Sequence, residues 1–209
     1  MLPLLTVLAS TVLEIMIAPQ PQPMTFLTAT GLPAIYADVP EIKRIDQSTQ
    51  LDENAASFLY DPKTPLEQKI AASIGYVTRF GFSDLATNYT NVVYKKPAPQ
   101  VKLGDLRGDE LVALGLLTAA MPADAERSTK ILEMARKKLP DSFAVALTTA
   151  MMKGQLALQK NNDACAVFRL PLEVLRNEKL THDMKQAAID AMFDQAASFR
   201  DSCPNRGAR

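Results

Sequence analysis

The chain has no tryptophan, one histidine, two cysteines and only eight glycines in 209 residues. One imidazole and two thiols exclude zinc sites built on several Cys and His ligands, and leave few groups that titrate near neutral pH. No Gly-rich phosphate loop, paired-His metal motif or Gly-x-Ser-x-Gly elbow occurs, so the sequence nominates no nucleophile, no metal and no cofactor. Charge of one sign is missing too. Twenty-three Lys+Arg balance twenty-three Asp+Glu, which removes the electrostatic basis for nucleic-acid binding.

What is present is enough for a folded core. A hydrophobic content of 47% with 22% charged residues is that of a globular protein, and the length allows one ordinary domain plus an appendage. Ten of the fourteen prolines fall between Pro3 and Pro99, so the two halves of the chain are built differently.

Residues Leu2 to Ala18 form an apolar run broken by Glu14 and stopped by Pro19-Gln-Pro-Gln-Pro23; Met24 to Ala37 is again apolar or small, and the first basic residue is Lys43. A secretory signal needs an apolar core, a basic start and small residues before cleavage. Here the basic start is absent. Either residues 1–37 are an atypical signal or anchor, cleaved after Ala37 if a signal, or translation starts at Met16 or Met24, or the segment is a hydrophobic arm that packs on a cytosolic domain. Glu14 would cost about 2.5–3.5 kcal/mol at a bilayer centre, which disfavours a stable span. The expectation is export to a periplasm or medium, with membrane association through residues 2–37 as the variant.

Cys165 and Cys203 fit that compartment, since an even count in an exported protein points to one disulfide. Helical phase puts Cys203 on a stripe with Met192, Ala196 and Phe199, and Cys165 on a face with Phe168, Leu172 and Leu175. The alternative is two buried structural thiols.

Residues 38–63 read as a polar linker and residues 204–209 as a disordered tail. Between them, 64–203, the chain reads as helices with their own start signals. Thr64-Pro65-Leu66-Glu67 has the form of a capping box, followed by a stripe of Leu66, Ile70, Ile74 and Val77 that Gly81 ends. Ser83-Asp84 starts a helix that stops at Lys95-Lys-Pro-Ala-Pro99. Further helices are expected over about 107–121, over 125–139 capped by Asp124, from Asp141 to about Lys160, from Asn162 with a bend or break at Pro171, and from Thr181 to about Ser202. Pairs Glu126/Lys130 and Glu133/Lys137 support the second of these. The fold class is all-α: antiparallel helical hairpins, in a solenoid or an irregular bundle.

Leu111, Leu114-Gly115, Ser128, Leu132, Ala135 and Pro140 together resemble one tetratricopeptide-type repeat; Phe143 and Ala150 begin a second in register, but Cys165 to Leu175 lacks the small–large–small series. The match spans about a third of the chain and needs one extra residue in the turn. The resemblance implies an interaction groove lined by first helices, with Thr118, Thr148, Thr149 and Lys153 as contacts.

Other polar groups have structural explanations. His182 sits near an expected helix start, and Asp124, Asp141, Asp163 and Asp183 at expected caps. Arg136-Lys137-Lys138 complement a helix C-terminus, and Asn88-Tyr89-Thr90 matches the N-glycosylation pattern. The functional expectation is an exported helical-repeat module that binds another protein and catalyses nothing itself; the alternatives are a membrane-tethered envelope component or a carboxylate-dependent enzyme with a helical cleft.

Overall fold

A computed structural model describes residues 25–203. The first 24 residues, which hold most of the expected signal or anchor, and the tail 204–209 lie outside the described residues. Within them the fold is all-α, and the one extended feature is an isolated parallel bridge between Ser142 and Thr181.

The chain opens with three short helices, α1 (Thr25–Thr28), α2 (Leu32–Ile35) and α3 (Pro40–Lys43), a 3-10 turn over Arg44–Gln47, and α4 (Glu53–Tyr60). Longer helices follow: α5 (Leu66–Phe80), α6 (Leu85–Tyr94), α7 (Gly108–Thr118), α8 (Ala125–Lys138), α9 (Phe143–Asn161), α10 (Ala164–Leu175) and α11 (Gln186–Ala197). Helices α5, α7, α8, α9 and α10 pack in series, α7–α8 and α9–α10 forming the tightest hairpins. At the second hairpin the backbones nearly touch. A Cβ on Gly154 would lie 2.8 Å from Val167 Cα and 3.2 Å from the Ala166 carbonyl, so only glycine fits that crossing.

Two expected boundaries are corrected. Residues 38–63 are not a linker. Ile42, Ile45, Leu51, Ala55, Ala56 and Leu59 are buried in the common core, and Asp52 caps α4 by accepting from Ala55 N–H at 2.8 Å. Likewise, residues 25–37 belong to the domain: Leu27, Leu32 and Tyr36 are wholly buried, so cleavage after Ala37 would strip three large side chains from the core. No helix among the described residues is long and apolar enough to cross a membrane.

Several helix starts also differ. Thr64 does not cap α5, and Glu67 does not fold back on its own helix. Its Oε2 instead accepts from the Tyr36 hydroxyl and from Lys185 N–H, both at 2.6 Å, joining α2, α5 and the start of α11. Lys185 adds an ion pair to Asp38 at 3.3 Å and lies over the Tyr36 ring at 4.7 Å. Ser142, not Asp141, caps α9; Asp163, not Asn162, caps α10. Asn162 takes the left-handed conformation that ends α9. Helix α10 continues through Pro171, which is buried. The final helix starts at Gln186, because Thr181 is drawn back to α9: its N–H donates to Asp141 O at 2.7 Å and its carbonyl accepts from Phe143 N–H at 3.1 Å.

Cys165 and Cys203 stand at disulfide distance, 2.04 Å between sulfurs, 38 residues apart in sequence. The pair ties the turn after α11 to the start of α10, where Phe168 also meets Phe193 at 6.0 Å between ring centroids.

Candidate functional site

The four residues expected to line a groove do not share one. Every residue from Glu110 to Ala120 and from Ser142 to Met152 is buried, so α7 and most of α9 present no open face. Thr118 is buried with its hydroxyl donating to Leu114 O at 2.7 Å, and Thr148 is wholly buried with no partner for its hydroxyl. Thr149 and Lys153 do line one hollow of about 260 Å³ between α9 and α10, with Arg136, Leu170, Glu173 and Asn177. There Lys153 is already paired with Glu133 at 2.6 Å, taking the partner expected for Lys137.

A larger hollow, about 520 Å³, lies where the end of α4 faces the segment joining α6 to α7. Its walls are Tyr60, Tyr94, Lys96, Gln100 and Lys102, and its floor is Arg107 and Glu110 at the start of α7. The sequence fixes this place through its prolines. Pro97 and Pro99 hold the chain in short turns after α6, and a 3-10 turn at Leu103–Asp105 leads into α7. Lys138, in the last turn of α8, reaches across to donate to Gly104 O at 2.7 Å and to Leu106 O. One of the three cations read as complementing a helix end therefore pins this loop.

Under the floor runs a charged network. Lys69, with a wholly buried side chain on α5, donates to Asp109 at 2.5 Å. Arg107 grips the same carboxylate through Nε and Nη2, both at 3.1 Å, and reaches Glu110 through Nη1 at 2.9 Å. Its backbone N–H donates to Glu110 Oε2 at 2.6 Å, and Nη2 donates to the Tyr60 carbonyl at 2.5 Å. The guanidinium also lies 5.0 Å from the centre of the Tyr60 ring. Each charge is thus paired and hydrogen-bonded, the condition for tolerating burial.

These contacts set the proton affinities. Burial pulls the Lys69 ammonium down while Asp109 holds it charged. For Asp109, burial pushes up, but hydrogen bonds from Arg107 and Lys69 outweigh it and keep the carboxyl below its ordinary range. Arg107 is pushed up by its bond to Asp109. Tyr89 is raised by burial and then by nearby Glu110, Tyr94 by burial and then by Tyr89; among the described residues neither hydroxyl completes a well-formed hydrogen bond. The paired charges of this network hold the start of α7 to α5 and to the end of α4.

The walls differ from the floor. Among the described residues Lys96 and Lys102 form no ion pair, both are exposed, and Tyr60 is one of two large apolar side chains left exposed, at 39%. Asp105 is the one wall carboxylate. Taking floor and walls together, the cations Lys69, Lys96, Lys102, Arg107 and Lys138 exceed the carboxylates Asp105, Asp109 and Glu110 by two charges. Sequence reasoning missed this site because Lys95-Lys96 read only as a helix stop. The available signal was that Lys96 has no carboxylate four residues away in either direction.

The remaining titratable groups sit elsewhere. His182 is exposed and stacked on Phe143 at 4.8 Å. Asn88 is exposed, whereas Tyr89 and Thr90 of its glycosylation pattern are wholly buried. No group of three or more His, Cys, Asp or Glu among the described residues is arranged to hold a metal ion. Comparison with protein-family models, with curated proteins and with solved structures finds no match for this chain.

Proposed function

We propose that this chain is an exported helical protein that works by binding another protein, and that the hollow between Tyr60 and the α6–α7 connection is where it does so. The observation that carries this reading is the contrast within that hollow: a floor whose charges are all paired beneath walls that keep an exposed aromatic ring and two unpaired lysines. An exposed tyrosine over a rigid, satisfied base is what an interface anchor looks like, and exposed cations beside it steer a partner of opposite charge. Pinning of the loop by Lys138 reduces the ordering cost of association.

Two further observations support the parts of the proposal. The only two cysteines stand at disulfide distance, which favours an oxidising compartment. With residues 25–37 in the core, a leader would end before Thr25. A close, rigid hairpin also backs the reading of a packed helical module: Ser128 Oγ donates to Gly115 O at 2.7 Å and a Cβ on Gly115 would press on Leu132 at 2.9 Å.

The test places a photo-crosslinking amino acid in turn at Tyr60, Lys130 and Asp190, three exposed positions on different helices, in the native host. A discrete protein adduct is expected from position 60; no adduct from any position would overturn the reading. The unreduced intact mass of the same material should show a chain that starts before residue 38 and two cysteines inert to alkylation. Two alkylated thiols would overturn export.

A further inference from the structure

We infer that the hollow recognises an acidic segment of its partner, one carboxylate lying between Lys96 and Lys102 and a neighbouring aromatic or aliphatic side chain resting on Tyr60 and Val101. This rests on the reading that the chain binds another protein, and it adds the chemistry of what is bound.

The charges decide the sign. Arg107 cannot serve an incoming group without leaving Asp109 and Glu110, and Lys69 is sealed below them. Among the described residues the exposed charges of the walls that form no ion pair are Lys96 and Lys102 against Asp105 alone, so a cationic ligand would meet net repulsion and an anionic one net attraction. Lys138 strengthens this from behind, because its ammonium is satisfied by carbonyls and no carboxylate cancels its charge. The apolar part follows from Tyr60. Its ring is held from one side by the guanidinium and meets the Tyr94 ring edge-on at 5.9 Å, so it cannot fold inward to hide its exposed surface. Val101 and Leu106 continue that surface into the hollow. At about 520 Å³ the space suits two or three side chains of an extended peptide, within the range of ordinary ligand pockets.

The experiment uses the full chain with its disulfide intact and a fluorescent hexapeptide of alternating glutamate and phenylalanine. A counterpart carries glutamine in place of glutamate. Binding of the acidic peptide at least tenfold tighter than its neutral counterpart is expected, weakening as salt rises. The double variant Lys96→Ala/Lys102→Ala should lose at least tenfold and Tyr60→Ala at least threefold. Lys179→Ala, an exposed lysine without an ion pair on the α10–α11 connection, should bind like the wild type. Lys96 and Lys102 are exposed and unpaired, so the thermal midpoint of the double variant should not move, which separates lost binding from lost fold.

Equal binding of the two peptides, or equal losses in the Lys179 and Lys96/Lys102 variants, would overturn the inference. Displacement of the peptide by inorganic phosphate without any contribution from Tyr60 would overturn it as well, in favour of a simple anion site. A crosslinked partner at position 130 or 190, with no peptide binding, would sink this inference and leave the broader reading standing; no partner at any position would remove both.

Discussion

Asp183 caps a helix to which it does not belong. From the connection between α10 and α11, its Oδ1 accepts from Ala144 N–H at 2.8 Å and its Oδ2 from the Ser142 hydroxyl at 2.5 Å, while Ser142 Oγ itself accepts from Val145 N–H at 3.1 Å. Two first-turn amides of α9 are satisfied by one relay, and a carboxylate sits at the positive end of the dipole. Asp183→Ala should therefore cost about 1–2 kcal/mol, the range for a lost cap. Urea denaturation reads this directly, and a change below about 0.3 kcal/mol would mean that the cap is idle in solution.

The Lys69–Asp109 pair should respond asymmetrically to removal of its partners. Asp109→Ala leaves a buried ammonium without its carboxylate and should cost about 3–5 kcal/mol. Lys69→Met leaves Asp109 still gripped by Arg107 and fills the space with an apolar chain, so it should cost less than half as much. Equal losses on denaturation would show that the pair acts by packing alone.

Acid should expose the same group. The Asp109 carboxyl is held below its ordinary range, so the unfolded chain binds its proton more tightly than the folded one. The stability it supplies is complete above the unfolded value of about 3.9 and is lost as pH falls through the folded value. The urea midpoint should drop below about pH 4, and an NMR titration of Asp109 should show a midpoint under 3.9. A midpoint at or above that value would contradict the network.

Gly154→Ala should destabilise by about 1–3 kcal/mol, the usual cost of overpacking a closed core, because the added methyl meets the α10 backbone and not a side chain that can turn away. A thermal midpoint unchanged from wild type would mean that the α9–α10 hairpin opens easily.

A chain started at Asp38 should be far less stable than one started at Thr25. Losing Leu27, Leu32 and Tyr36 removes three fully buried side chains, worth about 1.5–3 kcal/mol each. Comparable denaturation midpoints for the two would show that the first three turns dock weakly.

How much of this could be read in advance depended on whether the signal was local. The stripe Leu66, Ile70, Ile74 and Val77 predicts a helix because its period is that of a helix, and the helix runs from Leu66 to Phe80. Cys165 and Cys203 do meet, but not by helical phase, because α11 ends at Ala197 and Cys203 follows a 3-10 turn. Residues 38–63 read as a linker because Ile42, Ile45, Leu51, Ala55 and Leu59 are spread over a short helix, a 3-10 turn, an irregular stretch and another helix, so no single period links them. Caps supplied in trans defeat local rules altogether: Glu67 and Asp183 each carry a correct capping side chain for a different element. The hollow was illegible for a similar reason, since Lys69 and Asp109 lie 40 residues apart and Lys138 reaches back 34 residues to Gly104.

The Glu67 junction also sets a timetable. One carboxylate oxygen binds Tyr36, 31 residues upstream, and Lys185, 118 residues downstream, and α1 and α2 both pack on α11. A ribosome adding roughly 5–20 residues per second takes about 6–24 s to cover that second distance. Throughout that interval Leu27, Leu32 and Tyr36 belong to helices that still lack α11. The closing contacts at the beginning of the domain therefore form only after its end has been made, so the two ends of the chain complete the fold together.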